Sequence, residues 1–347
     1  MNVLITGGTG YIGSHTALTL CQQGHQVVLF DNLRQSNPQV ASRLETLCDQ
    51  PVPLVMGDVR DTRVLSCSLL EHEINAVVHC AGLRGTHASL MRPLDTYAHN
   101  LQGTLSVMQA MAMCDDPILV FSSSAAVYGK PRHALQDENH PTEPTTPLGR
   151  SLLQAENVIR DAVKGSLLPT RVAIMRSFHP AGAHESGLIG DCSGLHATAG
   201  GLMTRLARVA AGDDAWLPLL SVSPDTPDGT VERDHTHVMD IAAGFAAALD
   251  FLRLHEGLHT FNLGRGQSVS DLQAVKAFEA ASGRQIPCAP TADTSDTVTR
   301  TVADTRLAKV RLGWEARRGL AEICESSWNH ALTQKLINAP EARGVNG

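Results

Sequence analysis

The sequence predicts an α/β protein with a doubly wound parallel sheet and a smaller, interleaved second domain toward the C-terminus. Three observations lead there. Short apolar runs alternate with stretches of helical spacing through the first 177 residues. A glycine-rich turn, GGTGYIG at 7–13, joins the first run to the first helical stretch. Beyond about residue 180, clusters of Gly, Pro, Ser and Asp (180–201, 221–232 and 286–297) punctuate shorter elements.

The strand candidates are 2–6 (NVLIT), 26–31 (QVVLFD), 53–57 (PLVMG), 75–81 (NAVVHCA), 118–123 (ILVFSS) and 171–177 (RVAIMRS). Segments with helical spacing lie between them, including 11–23, 61–72, 94–113 and 149–164. Alternation at this length indicates βαβ units, and therefore parallel strands with helices on both faces. Two later segments, 238–249 (VMDIAAGFAAAL) and 259–264 (HTFNLG), read as returns to that sheet. The expected division is a first domain over 1–180, rejoined by segments near 236–265, and a smaller domain over 181–340.

Composition narrows the function. The 347 residues allow one large domain and a lesser one with ample core. Apolar residues make up 43 % and charged residues 18 %, as in ordinary globular proteins. Aromatics are only 4 %, so Leu, Val, Ala and Ile must build the core. A net charge of −7 with no Lys/Arg run argues against a nucleic-acid surface. Met1-Asn2 leads directly into the first strand, which reads as a chain without a signal peptide, and no apolar stretch reaches membrane-spanning length. The eight cysteines are scattered without a C-x-x-C pair, so reduced thiols in a cytoplasmic protein are expected. Among sixteen histidines, His235 and His237 lie two apart, and no metal is expected.

The glycine turn carries the clearest chemistry. Gly7, Gly10 and Gly13 follow a strand and open a helix, where glycine permits a tight turn, close backbone approach to a pyrophosphate and close helix–sheet packing. An anion there sits on the helix N-terminus, beside Tyr11 and Ile12. The second strand ends in Asp31, eighteen positions after Gly13 and followed by Asn32, where a carboxylate takes ribose hydroxyls. That carboxylate would repel a 2′-phosphate, which favours NAD over NADP. Asp58 and Val59 after the third strand, and Cys80, Ala81 and Gly82 after the fourth, fall at strand C-termini where adenine and ribose contacts belong.

Read together with FSSSAAVYG (121–129), RSFHPAGAH (176–184) and RDHTHVMD (233–240), these motifs resemble the extended short-chain dehydrogenase/reductases, and among them the UDP-glucose 4-epimerases. The resemblance covers nearly the whole chain. It implies a Rossmann sheet, NAD as cofactor, a UDP-hexose ligand and a homodimer built on paired helices. It adds Arg84, Ser122 and Phe178 to the cofactor set, with Arg84 standing where the family has Lys, and His99 replacing the first of two Asn residues beside Asn100. In the family a Tyr phenolate takes the sugar 4-hydroxyl proton while hydride passes from C4 to nicotinamide. A Lys one turn later lowers the Tyr pKa, and a Ser holds the reacting oxygen.

Ser124 matches that Ser, but the Tyr and Lys positions fall on Leu148 and Leu152, within PTTPLGRSL (144–152). Leucine neither accepts a proton nor donates a hydrogen bond. Losing a general base costs about 10²–10⁴-fold in rate. Only three tyrosines exist, Tyr11, Tyr97 and Tyr128, and none falls where it would substitute directly. Arg150 points to the opposite helix face and is too basic to serve. Loop histidines, His133, His140 or His179, are the candidate replacement bases. The Leu pair otherwise extends an apolar helix face with Leu153, Ala155, Val158 and Ile159.

The ligand side departs from the family as well. The family Asn after the sixth strand is His179, and the Asn of a uridine loop is Gly201. The late Arg and Asp fall among Ala292–Thr297, where no Arg occurs; Arg233 is retained, and its neighbouring family Tyr is His235. Lost guanidinium forks and Asn contacts weaken a diphosphate site. The resemblance thus implies an epimerase-like protein with activity lost or strongly impaired, kept as an NAD-binding module or as partner of an active paralogue. The competing reading is an active nucleotide-sugar epimerase or dehydratase with a different base.

Overall fold

A computed structural model describes residues 1–115, 117–165, 171–191, 200–221, 226–292 and 298–338. The first half runs β1 (Asn2–Thr6), α1 (Tyr11–Gln22), β2 (Gln26–Asp31), α2 (Gln39–Cys48), β3 (Leu54–Met56), α3 (Thr62–Glu71) and β4 (Ala76–His79). It continues through α4 (Thr86–Met91), α5 (Pro93–Tyr97), a π-helical turn (Ala98–Gln102), α6 (Gly103–Met111), β5 (Ile118–Ser124), α7 (Pro147–Lys164) and β6 (Arg171–Ser177). The second half adds β7 (Pro180–Ala181), α8 (Leu202–Ala210), β8 (Leu217–Ser221), β9 (Glu232–Arg233), β10 (Thr236–His237), α9 (Val238–Leu252) and β11 (Gly257–Leu263). The last elements are β12 (Val269–Ser270), α10 (Asp271–Ser282), β13 (Cys288–Ala292), β14 (Arg300–Thr301), α11 (Arg306–Leu312) and α12 (Leu320–Asn338).

Seven strands form one sheet in the order β11-β6-β5-β4-β1-β2-β3, all neighbours parallel. It is the doubly wound Rossmann arrangement that the strand–helix alternation predicts. The period-two backbone of β1 shows why both faces must be covered: Val3 and Ile5 belong to one core with α1 and α9, and Leu4 to the other with α3, α6 and α7. The chain winds outward from β1 through β2 and β3, then resumes at β4 on the other side. The crevice for a ligand therefore opens at the C-terminal ends of β1 and β4.

Three departures from the expected elements bear on the site. Helix α7 begins at Pro147, because Thr146 caps it (Oγ1 accepts Gly149 N–H at 3.3 Å) and proline suits the first helical position. The helical stretch expected over 94–113 spans 93–111 and is interrupted by the π turn. Residues 238–249, expected to return to the sheet, do so as helix α9 laid against β5, β6 and α1, in keeping with their alanine content.

Around α8, α10 and α12 a separate apolar cluster forms, with Leu206, Phe278 and Ile323 at its centre. No described helix is long and apolar enough to cross a membrane.

Candidate functional site

At the β1–α1 turn the glycines are required by contact. Gly7 has φ +66°, and a Cβ there would lie 2.8 Å from the Ala81 backbone. A Cβ on Gly13 would come within 2.2 Å of the Gly7 carbonyl oxygen. Gly10 caps α1 with no side chain over it, so the first-turn N–H groups of Tyr11, Ile12 and Gly13 face outward from an uncovered helix terminus. The loop is anchored from β2: Gly7 N–H donates to Phe30 O at 2.8 Å.

Asp31 ends β2 almost fully buried, and its carboxylate accepts from Thr9 N (3.2 Å), Leu33 N (2.8 Å) and Ser36 Oγ (3.2 Å). It is held against the glycine turn rather than swinging in solvent. Farther along the edge, Arg60 grips Asp58 with two nitrogens (2.9 and 2.7 Å), which holds the Asp58 carboxyl well below the usual range. Asn32 donates to the same carboxylate at 3.4 Å, and Val59 is buried beneath it. Arg60 lines an open cleft of about 430 Å³ together with Asp58, Asp61 and Gln102.

Between β4 and α7 runs a chain of hydrogen bonds that local patterns do not announce. Thr6 Oγ1 bonds His79 Nδ1 at 2.7 Å, and His79 Nε2 bonds Thr104 Oγ1 at 3.1 Å. Thr104 donates its hydroxyl to Asn100 O (2.7 Å), so the network assigns the proton of neutral His79 to Nε2. Burial lowers its pKa to about 4. The Asn100 amide then accepts Leu83 N–H (2.7 Å) and donates to Ser151 Oγ (3.0 Å), tying the strand-β4 loop to α7. The π turn carries Asn100 and His99; His99 Nε2 accepts from Arg34 Nη1 at 3.1 Å, and Arg34 also pairs with Asp95. Gly82 lies against Asn100, where a Cβ would be 2.9 Å from Oδ1. Cys80 sits beside Ser122, and burial pushes its thiol up to about 12.

Helix α7 starts against the turn that follows Ser124. A Cβ on Gly149 would come within 2.3 Å of Ala126 O, and Ser124 Oγ accepts Ala126 N–H at 3.2 Å. On this first stretch of α7, Leu148 is half-buried and Leu152 packs among Ala125, Val127, Tyr128 and Phe178. Two of the three tyrosines are committed elsewhere. Tyr128 donates to Asn262 Oδ1 (2.6 Å), accepts from Arg176 (3.1 Å), and is pushed up to about 12 chiefly by burial. Tyr11 donates to Gly182 O at 2.5 Å. His140 is committed too: Nε2 accepts Arg132 N–H at 3.0 Å, leaving Nδ1 to donate to Pro141 O at 2.9 Å. His133 is exposed and touches His140 edge-on.

On the opposite side of the crevice, His179 has an unusual φ of +20° and lies edge-on to His235, 6.0 Å between centroids. Burial and the nearby Arg233 hold His179 well below its ordinary pKa, so it is neutral at pH 7. His235 Nε2 and Ser177 Oγ are buried without a partner among the described residues. Arg233 pairs with Asp271 at the start of α10. Gly201 caps α8, and a Cβ there would meet nothing within 4 Å among the described residues. Residues 293–297 of the late Arg-free stretch lie outside the described residues. Among the described residues no group of His, Cys, Asp and Glu has the arrangement of a metal site.

Residues 3–264 match the sequence pattern of the NAD dependent epimerase/dehydratase family. The chain belongs to that family. A UDP-glucose 4-epimerase of Neisseria meningitidis serogroup A is 39 % identical over 328 residues, 94 % of this chain and 96 % of that protein. The Bacillus subtilis enzyme of the same name is 38 % identical over 329 residues. In three dimensions the chain is similar to a UDP-glucose-4-epimerase from Stenotrophomonas maltophila with bound NAD and formylated UDP-arabinopyranose. Its TM-score is 0.93 at 38 % identity, covering 97 % of this chain and 99 % of that one. A Bifidobacterium longum epimerase in complex with NAD⁺ and UDP gives 0.91 at 36 %. For an NAD-dependent epimerase/dehydratase the glycine cradle fits its cofactor. A Cβ at Gly7 or Gly13 would collide with backbone; its absence leaves the α1 N-terminus open to close approach by an anion, and Asp31 ends β2 beside that turn.

Of the expected residues, Gly7 to Gly13, Asp31, Asn32, Asp58, Val59, Cys80 to Gly82 and Arg84 gather along the C-terminal ends of β3, β2, β1 and β4, and Ser122, Ser124 and Phe178 follow on β5 and after β6. Thr9, Arg34 and Asp191 escaped sequence reasoning. Thr9 is legible as part of the glycine turn; Asp191 meets Arg84 across 107 positions, a pairing that no local pattern signals.

Proposed function

We propose that the chain is an NAD-holding relative of the UDP-glucose 4-epimerases in which oxidation of a UDP-hexose at C4 is lost or strongly reduced. NAD, when bound, supplies a reversible hydride acceptor. This chain's residues supply its cradle: the α1 N-terminus and Gly7–Gly13 take the pyrophosphate, Asp31 takes ribose hydroxyls, and Asp58, Val59 and the Cys80–Gly82 turn bound the adenosine side. The unit that holds it comprises 1–180 with 236–265, and the 181–340 region bears the ligand side.

The observation that carries the reading is hydrocarbon at 148 and 152, on the helix that begins against Ser124's turn. A Tyr–Lys pair at these positions would provide a base of lowered pKa, whereas two leucines provide none. The alternatives are weak in this fold. Tyr128 is consumed by Asn262 and Arg176, and His140 by two backbone partners. His179, depressed by burial and Arg233, is a poor proton acceptor. On the ligand side Arg233 is already engaged by Asp271.

Exposed Leu90 (49 %), Met91 (70 %) and Leu94 (83 %) on α4 and α5, next to α7, support a paired-helix interface with a second copy or with an active paralogue. Sedimentation across a concentration series tests it.

The functional reading is tested by titrating the NAD-loaded protein with UDP by calorimetry and assaying turnover of UDP-galactose. The expected result is retained NAD with negligible interconversion. Turnover at the rate of an ordinary epimerase overturns it.

A further inference from the structure

Two side chains of the cofactor half reach over the glycine turn into the second region, and they touch each other. Tyr11, first residue of α1, donates its hydroxyl to Gly182 O at 2.5 Å. Arg84, after the Cys80–Gly82 turn, donates from Nη2 to Asp191 Oδ1 at 2.5 Å, and its guanidinium carbon lies 5.2 Å from the centre of the Tyr11 ring. Asp191 is itself fixed, since its second oxygen accepts from Thr204 Oγ1 on α8 at 3.0 Å. Its side chain is 12 % exposed against 42 % for Arg84.

We propose that Tyr11 and Arg84 form a two-point clasp across the mouth of the dinucleotide cradle, and that Asp191 is the positioning residue that sets how fast the cofactor leaves. The chemistry is that of a planar guanidinium held on two sides. The Tyr11 ring fixes its face, and Asp191 fixes one nitrogen. Nε and Nη1 have no hydrogen-bond partner among the described residues, and the guanidinium lies over the ring of Tyr11, the first residue of α1, which leaves these donors for a pyrophosphate oxygen. Departure of the dinucleotide then requires the Arg84–Asp191 and Tyr11–Gly182 bonds to open together, because the stacked pair moves as one. Thr204 ties that opening to α8, so the second region acts on cofactor exchange without touching the nicotinamide. The inference rests on NAD as the cofactor, and goes beyond it by assigning retention to residues 107 positions apart.

The test is exchange of bound NAD for labelled NAD in the holoprotein, with parallel melting of the apoprotein. Asp191→Asn should raise the exchange rate about tenfold, with Asp191→Glu restoring it to within about threefold of the parent. Thr204→Val should give an intermediate increase. Apoprotein melting should stay within about 2 °C of the parent, because an ion pair whose guanidinium is 42 % exposed adds under about 1 kcal/mol to stability. An Asp191→Asn exchange rate within about twofold of the parent overturns the clasp. So does equal acceleration in Asp191→Asn and Asp191→Glu accompanied by a lowered apoprotein melting temperature, which marks a merely structural contact. Failure of the parent to retain any NAD instead overturns the cofactor assignment, a separately readable result.

Discussion

The two flanks of the crevice are built to different standards. On the β1–β2–β4 flank the polar groups at the strand ends have placed partners: Asp31 accepts from three donors, Asp58 is forked by Arg60, and His79 sits in a directed chain from Thr6 to Asn100. On the β5–α7 flank the helix closest to Ser124 offers hydrocarbon at 148 and 152. Beyond it, His235 Nε2 and Ser177 Oγ are buried without protein partners among the described residues. The difference teaches that a binding cradle and a proton-transfer centre on one sheet are separable. Backbone shape maintains the first, whereas in the function proposed above the second is lost with two side chains whose positions hold leucine.

The comparison breaks first if α7 proves dispensable to the fold. Glu156 on α7 is wholly buried and holds Arg176 at 3.0 and 2.7 Å, with Ser123 donating at 2.6 Å. Glu156→Leu leaves Arg176 charged and unpaired, and should cost about 3–5 kcal/mol in denaturant unfolding. A loss under about 1 kcal/mol would show that α7 is not the scaffold this account makes it. On the cradle side, Gly13→Ala places a methyl 2.2 Å from Gly7 O. About 1–3 kcal/mol of overpacking should weaken NAD about tenfold to a hundredfold by calorimetry.

Acid should affect both flanks alike. Burial lowers His15 and His235 to about 3 and His79 and His237 to about 4. Their folded values lie below the unfolded 6.5, so the unfolded chain binds more protons as pH falls from 6.5 toward 4. Stability should decline through that window by roughly 1.4 kcal/mol per pH unit for each histidine that stays neutral, and be flat in these terms above it. Urea midpoints from pH 7.5 to 4.5 check the sign. The smallest effect belongs to Leu148→Ala. The half-buried side chain should contribute under about 1 kcal/mol to unfolding and leave NAD affinity unaltered.

Much of the cradle was legible because its logic is local. Apolar runs and the glycine spacing mark β1, α1 and β2, and Asp31 falls at a strand end by counting. The packing of Leu152 was legible through apolar helix spacing. What escaped is non-local. Nothing near Asp191 announces Arg84, and nothing near Arg233 announces that Asp271 will claim it. Two-residue strands such as β9, β12 and β14 carry no periodicity to read. The π turn is likewise invisible, since 98–102 reads as ordinary helix until Asn100 is seen bridging Leu83 and Ser151.

The central claim is that a sound cradle lies beside a crevice without a base. It is tested most directly by the NADH absorption band after UDP-galactose is added to the NAD-loaded parent and to Leu148→Tyr/Leu152→Lys. The account predicts an unchanged spectrum for the parent and a band that grows at least about 100-fold faster in the double variant. A parent that reduces its own bound NAD at a rate equal to the variant's would contradict it.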